Sequence, residues 1–196
     1  MAWIASLAAA AMLTPAPAAA QYSASYTFIQ GVKDRDFADV SGVLGQPGSA
    51  VIDTRDRDTG DGALHIVTRA RDTEWLLYLL RAEANPNLRN RDGDAPLHIA
   101  AQMGYPEGTR WLLVVEATVD ATNNRGETPL ILAVQQHNTE VVRQLIDAGA
   151  NPDLTDNVIG MSARDYARRD ARGASILAIL DSARPARNAT PVGPTP

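Results

Sequence analysis

The chain has 196 residues, 45% of them apolar, which is enough for one packed domain or one short repeat array; with aromatics at only 5%, the interior must be built from Leu, Ala, Val and Ile. A net charge of −5 speaks against nonspecific nucleic-acid binding, where a basic surface neutralises phosphates. With no cysteine, the chain has no disulfides, thiolate metal sites, cysteine nucleophiles or lipoprotein-type lipid anchor.

The first twenty residues, MAWIASLAAAAMLTPAPAAA, carry no charged side chain. An apolar run over 2–13 leads into Pro15 and Pro17, and then into three alanines at 18–20, the small residues a signal peptidase reads. This predicts a signal peptide over 1–20, cleaved after Ala20, and a periplasmic or secreted product. The positive charge usual before the apolar run is missing; the alternatives are an uncleaved segment that acts as an anchor and, with a misread start and no signal, a cytosolic adaptor. The run is too short to cross ~30 Å of hydrocarbon, so no stable membrane insertion is expected after cleavage. Residues 21–27 are expected to form a flexible lead-in. Residues 28–52 form a worn helical unit in which Phe37, Val40, Val43 and Leu44 would face inward.

The stretch DTRDRDTGD at 53–61 holds four aspartates. An EF-hand starting at Asp56 would need an oxygen ligand at Gly60, a glycine at Asp61 and a glutamate at Val67, and none of these is met. A catalytic carboxylate pair needs a desolvated cleft that splits two pKa values. A wet, flexible connecting loop offers none, and Arg55 and Arg57 sit among the acids. The expectation is scaffold, with a divalent-ion, small-ligand or enzymatic role for 53–61 as the alternative.

Downstream, three stretches share a pattern: GDGALHIVTRA from Gly60, GDAPLHIAAQM from Gly93 and GETPLILAVQQ from Gly126. Leu64, Leu97 and Leu130 are separated by 33 residues each, a period that marks a stacked array. Pro96 suits a first helical turn and Gly104 a left-handed stop, with Leu97, Ile99, Ala100, Ala101 and Met103 between them. A second run at 111–115 is too apolar to stand in water. Val141, Val142, Leu145 and Ile146 recur at helical spacing before Gly149. Each helix pair has more apolar surface than it can bury alone, and small residues at Ala100, Ala101 and Ala133 let neighbouring pairs approach closely.

The pattern of a turn, Gly-x-Thr-Pro-Leu-His, a short helix, a glycine, a second helix and a closing Gly-Ala resembles the ankyrin repeat, here of the small exported bacterial kind. The resemblance covers 28–184 and implies an all-α ankyrin-repeat solenoid of helix-turn-helix units with finger loops. About five units, degenerate caps included, fall at 28–59, 60–92, 93–125, 126–158 and 159–184. The chain departs from the family where Arg71 and His137 replace a glycine between helices and where Glu83 and Glu116 replace one after the second helix. Each is expected at positive φ, at a cost of about 1 kcal/mol. In the last unit Arg164 takes the leucine position, and ASILAIL at 174–180 closes the stack. Residues 185–196, with four prolines, read as a disordered tail. The Asn188-Ala189-Thr190 sequon within it reads as a chance match.

His65 and His98 occupy the Pro-Leu-His position, and the resemblance implies that they tie adjacent turns together. As equivalent positions in neighbouring units they stand too far apart to share a metal. His137 is expected to be exposed. No nucleophile setting and no phosphate loop appear, so no catalytic residue, metal or cofactor is expected. The resemblance implies a monomeric, non-enzymatic protein-binding module that uses a concave face. Candidate contacts are Arg55, Arg57, Arg89, Arg91, Asn124 and Arg125 on the fingers, and Arg69, Gln102, Met103, Gln135 and Gln136 on the first helices. The arginine-rich fingers suit a partner that offers carboxylates; the alternative is that neighbouring Asp56, Asp58 and Asp92 cancel the charge and nothing acidic binds.

Overall fold

The computed structural model describes residues 23–182. The leader at 1–20 with its cleavage point, the start of the lead-in, the tail at 185–196 and the Asn188 sequon lie outside these residues. Among the described residues there are ten helices, and extended pairing is limited to two isolated bridges, Arg55 with Gly62 and Thr155 with Ser162. The helices come in consecutive pairs: α1 (Ala24–Asp34) and α2 (Phe37–Leu44), α3 (Ala63–Arg69) and α4 (Thr73–Arg81), α5 (Pro96–Gln102) and α6 (Pro106–Val114), α7 (Pro129–Gln135) and α8 (Thr139–Asp147), α9 (Ala163–Arg169) and α10 (Ala174–Ser182). First helices pack on first helices through α1, α3, α5, α7 and α9, and the second helices run side by side from α4 to α10.

Local chemistry sets the boundaries. Pro96, Pro106 and Pro129 stand at the first turn of α5, α6 and α7, where no intrahelical donor is lost. Ser23, Asp36, Asp72, Thr128, Asn138 and Ser162 cap α1, α2, α4, α7, α8 and α9 by accepting a backbone N–H of the first turn. Leu64, Leu97 and Leu130 are each the second residue of their helices, with 3%, 0% and 0% exposure. The core is therefore one shared seam between neighbouring pairs, filled out by fully buried Ala100, Ala101 and Ala133, whose small side chains allow the first helices to close up.

The residues standing in for glycine do adopt the left-handed conformation: Arg71 at φ 55°, His137 at 56°, Glu83 at 63° and Glu116 at 60°. Arg35, at φ 59°, takes the same role between α1 and α2. The positions between helices are not idle. Arg35 reaches Asp72 of the next pair at 2.8 Å, Arg71 donates to the carbonyls of Met103 and Gly104, and His137 meets Asp170 at 3.0 Å. Each of these three side chains bonds across to the matching loop one unit on. His137 is accordingly half-buried rather than exposed, held between Asp170 and Arg172.

Three further expectations change. Phe37 does not face inward: it is 58% exposed, because it directly follows the N-cap Asp36 at the outer edge of α2. Val40 and Val43 carry the inward face of that helix, with Leu44 partly buried against it. Residues 24–27, read as flexible lead-in, form the first turn of α1, where Ser23 accepts the Tyr26 N–H. The aspartate-rich finger is pinned rather than loose. Asp56 accepts from Lys33 at 2.6 Å and from the N–H groups of Asp58 and Thr59, and Asp53 accepts the Asn85 N–H at 2.8 Å. The Lys33 contact comes first among the causes that hold the Asp56 carboxyl well below the usual carboxylate range.

Candidate functional site

The fingers connect each second helix to the next first helix, and they are joined to one another by a ladder of bonds. Backbone N–H groups of Arg91, Asn124 and Asn157 donate to the carbonyls of Thr59, Asp92 and Arg125 on the preceding finger. Deeper in, the buried Asn90 amide donates to Asp61 at 2.8 Å, and the buried Asn123 amide donates to Asp94 at 3.0 Å and to Glu127 at 2.9 Å. At the finger bases Asp53, Asn87 and Asp120 accept the N–H of Asn85, Thr118 and Asn151, one unit on in each case. Gly93 shows how close the approach is. Its φ is +78°, and an added Cβ would lie 2.8 Å from the Asn124 backbone nitrogen.

His65 and His98 belong to this framework. The Nδ1 atoms accept the N–H of Gly62 and of Ala95, each at 3.1 Å, which leaves the proton on Nε2. His65 Nε2 donates to the Asp94 carbonyl of the next finger at 2.8 Å, the tie between turns that the resemblance implies. His98 Nε2 is buried without a well-aligned acceptor, although the carbonyls of Ala121 and Glu127 favour its protonated form. Burial dominates at both rings and lowers their pKa.

Where two fingers meet the first helices lies a polar cleft of about 330 Å³. Four of the eleven candidate contacts line it together, namely Arg69, Gln102, Asn124 and Arg125, joined by Asp92, Asp94 and Asn123. Arg69 reaches Asp61 at 3.3 Å and Arg125 pairs with Glu127 at 2.7 Å, a bond that raises the Arg125 pKa further. Met103 and Gln136 are exposed, while Gln135 is half-buried and bears on the Tyr166 hydroxyl. The other finger arginines point elsewhere. Arg55 and Arg57 line a separate cleft against α1, with Lys33 and Asp58. Arg55 also donates to the Arg89 carbonyl at 3.0 Å, Arg89 to the Thr122 carbonyl at 2.6 Å, and Arg91 to the Arg57 carbonyl. These three guanidinium groups thus splint the fingers as well as facing solvent.

Sequence reasoning overlooked Asp94 and Asn123, whose place in the cleft depends on contacts between units, and read Asp92 only as a neighbour that offsets the arginine charge. It also overlooked an aromatic group on the opposite side of the stack, formed by Phe37, Trp75 and Tyr78. There the Phe37 ring centroid lies 6.4 Å from that of Trp75 and 5.0 Å from that of Tyr78. Among the described residues no group of three or more His, Asp or Glu side chains is arranged to hold a metal ion, and no helix is long and apolar enough to cross a membrane.

A family model for ankyrin repeats, of three copies, matches residues 44–123, 64–156 and 104–178, which together cover most of the chain and agree with its stacked helix pairs. The chain belongs to the ankyrin-repeat family. A comparison with curated proteins finds no match. Ankyrin repeats indicate a protein–protein interaction module, and proteins built from them are typically non-enzymatic. The ankyrin stack here presents two distinct faces, a polar one made of fingers and first helices and an opposite one made of the second helices.

Proposed function

We propose that this ankyrin-repeat protein is exported, loses its leader after Ala20, and acts in the periplasm or outside the cell as a monomeric, non-catalytic docking module. Its partner is a protein bound on the face made by the fingers and first helices. The observation that carries this reading is the polar cleft, in which Arg69, Gln102 and Arg125 present donors on a framework held rigid from finger to finger. A preorganised surface of this kind binds without ordering itself first, which lowers the entropic cost of association. The guanidinium groups at the cleft and along the fingers suit a partner that offers carboxylates. The leader reading is supported by the uncharged first twenty residues and the alanines at 18–20.

Gln102, Met103 and Gln136 test the face cleanly, because they are exposed and their side chains are not part of the bonds that hold the fingers. Gln102→Arg, Met103→Asp and Gln136→Arg together should leave the melting temperature unchanged and abolish capture of envelope proteins that the parent chain retains. Unchanged capture by a folded triple variant would remove this face from the account. N-terminal sequencing of the protein recovered from its native envelope should begin at Gln21; a start at Met1 would remove export.

A further inference from the structure

Each finger is held to the one before it by the same device. The backbone N–H groups of Arg91, Asn124 and Asn157 donate to the carbonyls of Thr59, Asp92 and Arg125 at 3.3, 3.0 and 2.8 Å. The side chains of Arg91 and Asn124 donate to the carbonyls of Arg57 and Arg91. The residue after each carbonyl that accepts a backbone N–H is a glycine at positive φ: Gly60 at 72°, Gly93 at 78° and Gly126 at 76°. An added Cβ at these glycines would lie 2.8, 2.8 and 2.7 Å from the incoming backbone nitrogen. A segment that joins this ladder ahead of the first finger therefore needs a glycine turn.

Arg57 holds the donor position on the first finger, and its backbone N–H and guanidinium have no partner among the described residues. The length of α1 is the reason. It has 11 residues where α3, α5, α7 and α9 have 7 each, so its added first turn stands where the other first helices are entered from a finger. Ser25 on that turn meets the Thr54 hydroxyl at 3.3 Å and closes the base of the gap. What stays open is a cleft of about 440 Å³ between α1 and the first finger, lined in part by Gln30, Lys33, Arg55, Arg57 and Asp58.

We propose that the docking partner fills this cleft with a glycine turn flanked by a carboxylate, which joins the ladder as one further finger. The inference rests on the docking reading above and names the segment that the partner contributes. The carbonyl before the glycine accepts the Arg57 N–H, as the Asp92 carbonyl accepts that of Asn124. The carboxylate meets the guanidinium groups of Arg55 and Arg57. Charge at the edge favours it, because Asp56 is taken up by Lys33 at 2.6 Å and Asp58 alone offsets the two arginines. The occupant comes from another protein. Residues 1–22 contain no glycine, and the last finger of a second copy runs directly into α9 and α10, which would claim the space of α1 and α2.

The chain's own second finger supplies the probe: a peptide loop that copies Asn90 to Ala95, with its Asp-Gly turn, closed by a terminal disulfide. The protein has no thiol to exchange with it. Titrated into the isotope-enriched full chain, the loop should shift the NMR signals of the Arg57 backbone and side-chain N–H groups saturably. The same loop with alanine in place of glycine should leave both signals where they are. Arg57→Ala, which removes no side-chain bond from the stack, should weaken binding of the glycine loop about tenfold as read at the Asp58 N–H, the loss of one charge-assisted bond. No shift at Arg57, or equal shifts with the alanine loop, would overturn the proposal. Shifts centred on Arg69 and Arg125 would also overturn it, in favour of the central cleft. The triple variant at Gln102, Met103 and Gln136 leaves this edge untouched and should bind the loop as the parent does, so failure of the edge is read apart from failure of the docking face.

Discussion

Replacing Arg71 by glycine sets two opposing effects against each other. At φ 55° an L-residue pays about 1–2 kcal/mol relative to glycine, while glycine gives the unfolded chain extra freedom worth about 0.4–1 kcal/mol. Relief of the backbone alone therefore stabilises by about 0–1.6 kcal/mol, centred near 0.8 kcal/mol. At Glu83 and Glu116, both exposed and at φ 63° and 60°, nothing opposes it, so Glu83→Gly and Glu116→Gly should each raise stability by roughly that amount. Arg71→Gly gains the same relief but loses charged hydrogen bonds to the Met103 and Gly104 carbonyls and its position 6.0 Å from the Tyr105 ring centroid. Hydrogen bonds from a charged group contribute about 1.5–3 kcal/mol and an exposed cation–π contact about 0.5–1 kcal/mol, and solvent exposure of Arg71 places both at the low end. The net expectation is a loss of about 1 kcal/mol, which for a domain of this size moves the melting temperature down by about 2–4 °C. Urea unfolding of the three variants decides the matter. Glu83→Gly and Glu116→Gly shift the midpoint up and Arg71→Gly shifts it down; a common direction for all three would refute the idea that Arg71 is retained for its bond to the next unit.

Acidification should destabilise the fold in two stages. The buried neutral rings of His65 and His98 have lowered pKa values, so the unfolded chain binds protons more readily than the folded one as pH falls through about 6.5, and stability drops by at most about 1.4 kcal/mol per pH unit for each ring. Asp56, held low first by its bond to Lys33, adds stability that is present above about pH 4 and is lost below it. Unfolding midpoints recorded from pH 8 to 3 should fall in both windows, and a flat profile between pH 7 and 5 would contradict the burial of the imidazoles. Gly93→Ala places a Cβ against the Asn124 nitrogen at a φ of +78° and should cost at least about 1–2 kcal/mol, with faster hydrogen exchange of the Asn124 amide as its local signature.

The register of the stack is legible in the sequence because hydrophobic periodicity acts within a unit. Leu64, Leu97 and Leu130 mark it, and Gly104, Gly149 and the glycine substitutes at Arg71, His137, Glu83 and Glu116 mark where helices stop. What joins one unit to the next was not legible. The bonds from Asn90 to Asp61 and from Asn123 to Asp94 link residues 29 positions apart, and no local pattern announces them. For the same reason the aspartates of the first finger read as a wet cluster although Asp53, Asp56 and Asp61 each hold a bond to a residue at least 23 positions away. Phe37 was misplaced because apolar character predicts burial only where a neighbouring helix covers the side chain, and at the edge of α2 its cover is the aromatic pair of α4. The finger arginines were recognised as polar and exposed, but their bonds to carbonyls of adjacent fingers follow from stacking geometry alone.

The most direct test of a core shared between like neighbours is the unfolding free energy of Leu97→Ala set against that of Asp58→Ala. Leu97 is fully buried at the centre of the stack, so its truncation leaves a cavity and should cost about 2–5 kcal/mol. Asp58 is exposed on the first finger, and its removal should cost no more than about 1 kcal/mol. A loss of the predicted size for Leu97→Ala with a near-neutral Asp58→Ala supports the stacked array; equal losses for the two would contradict it.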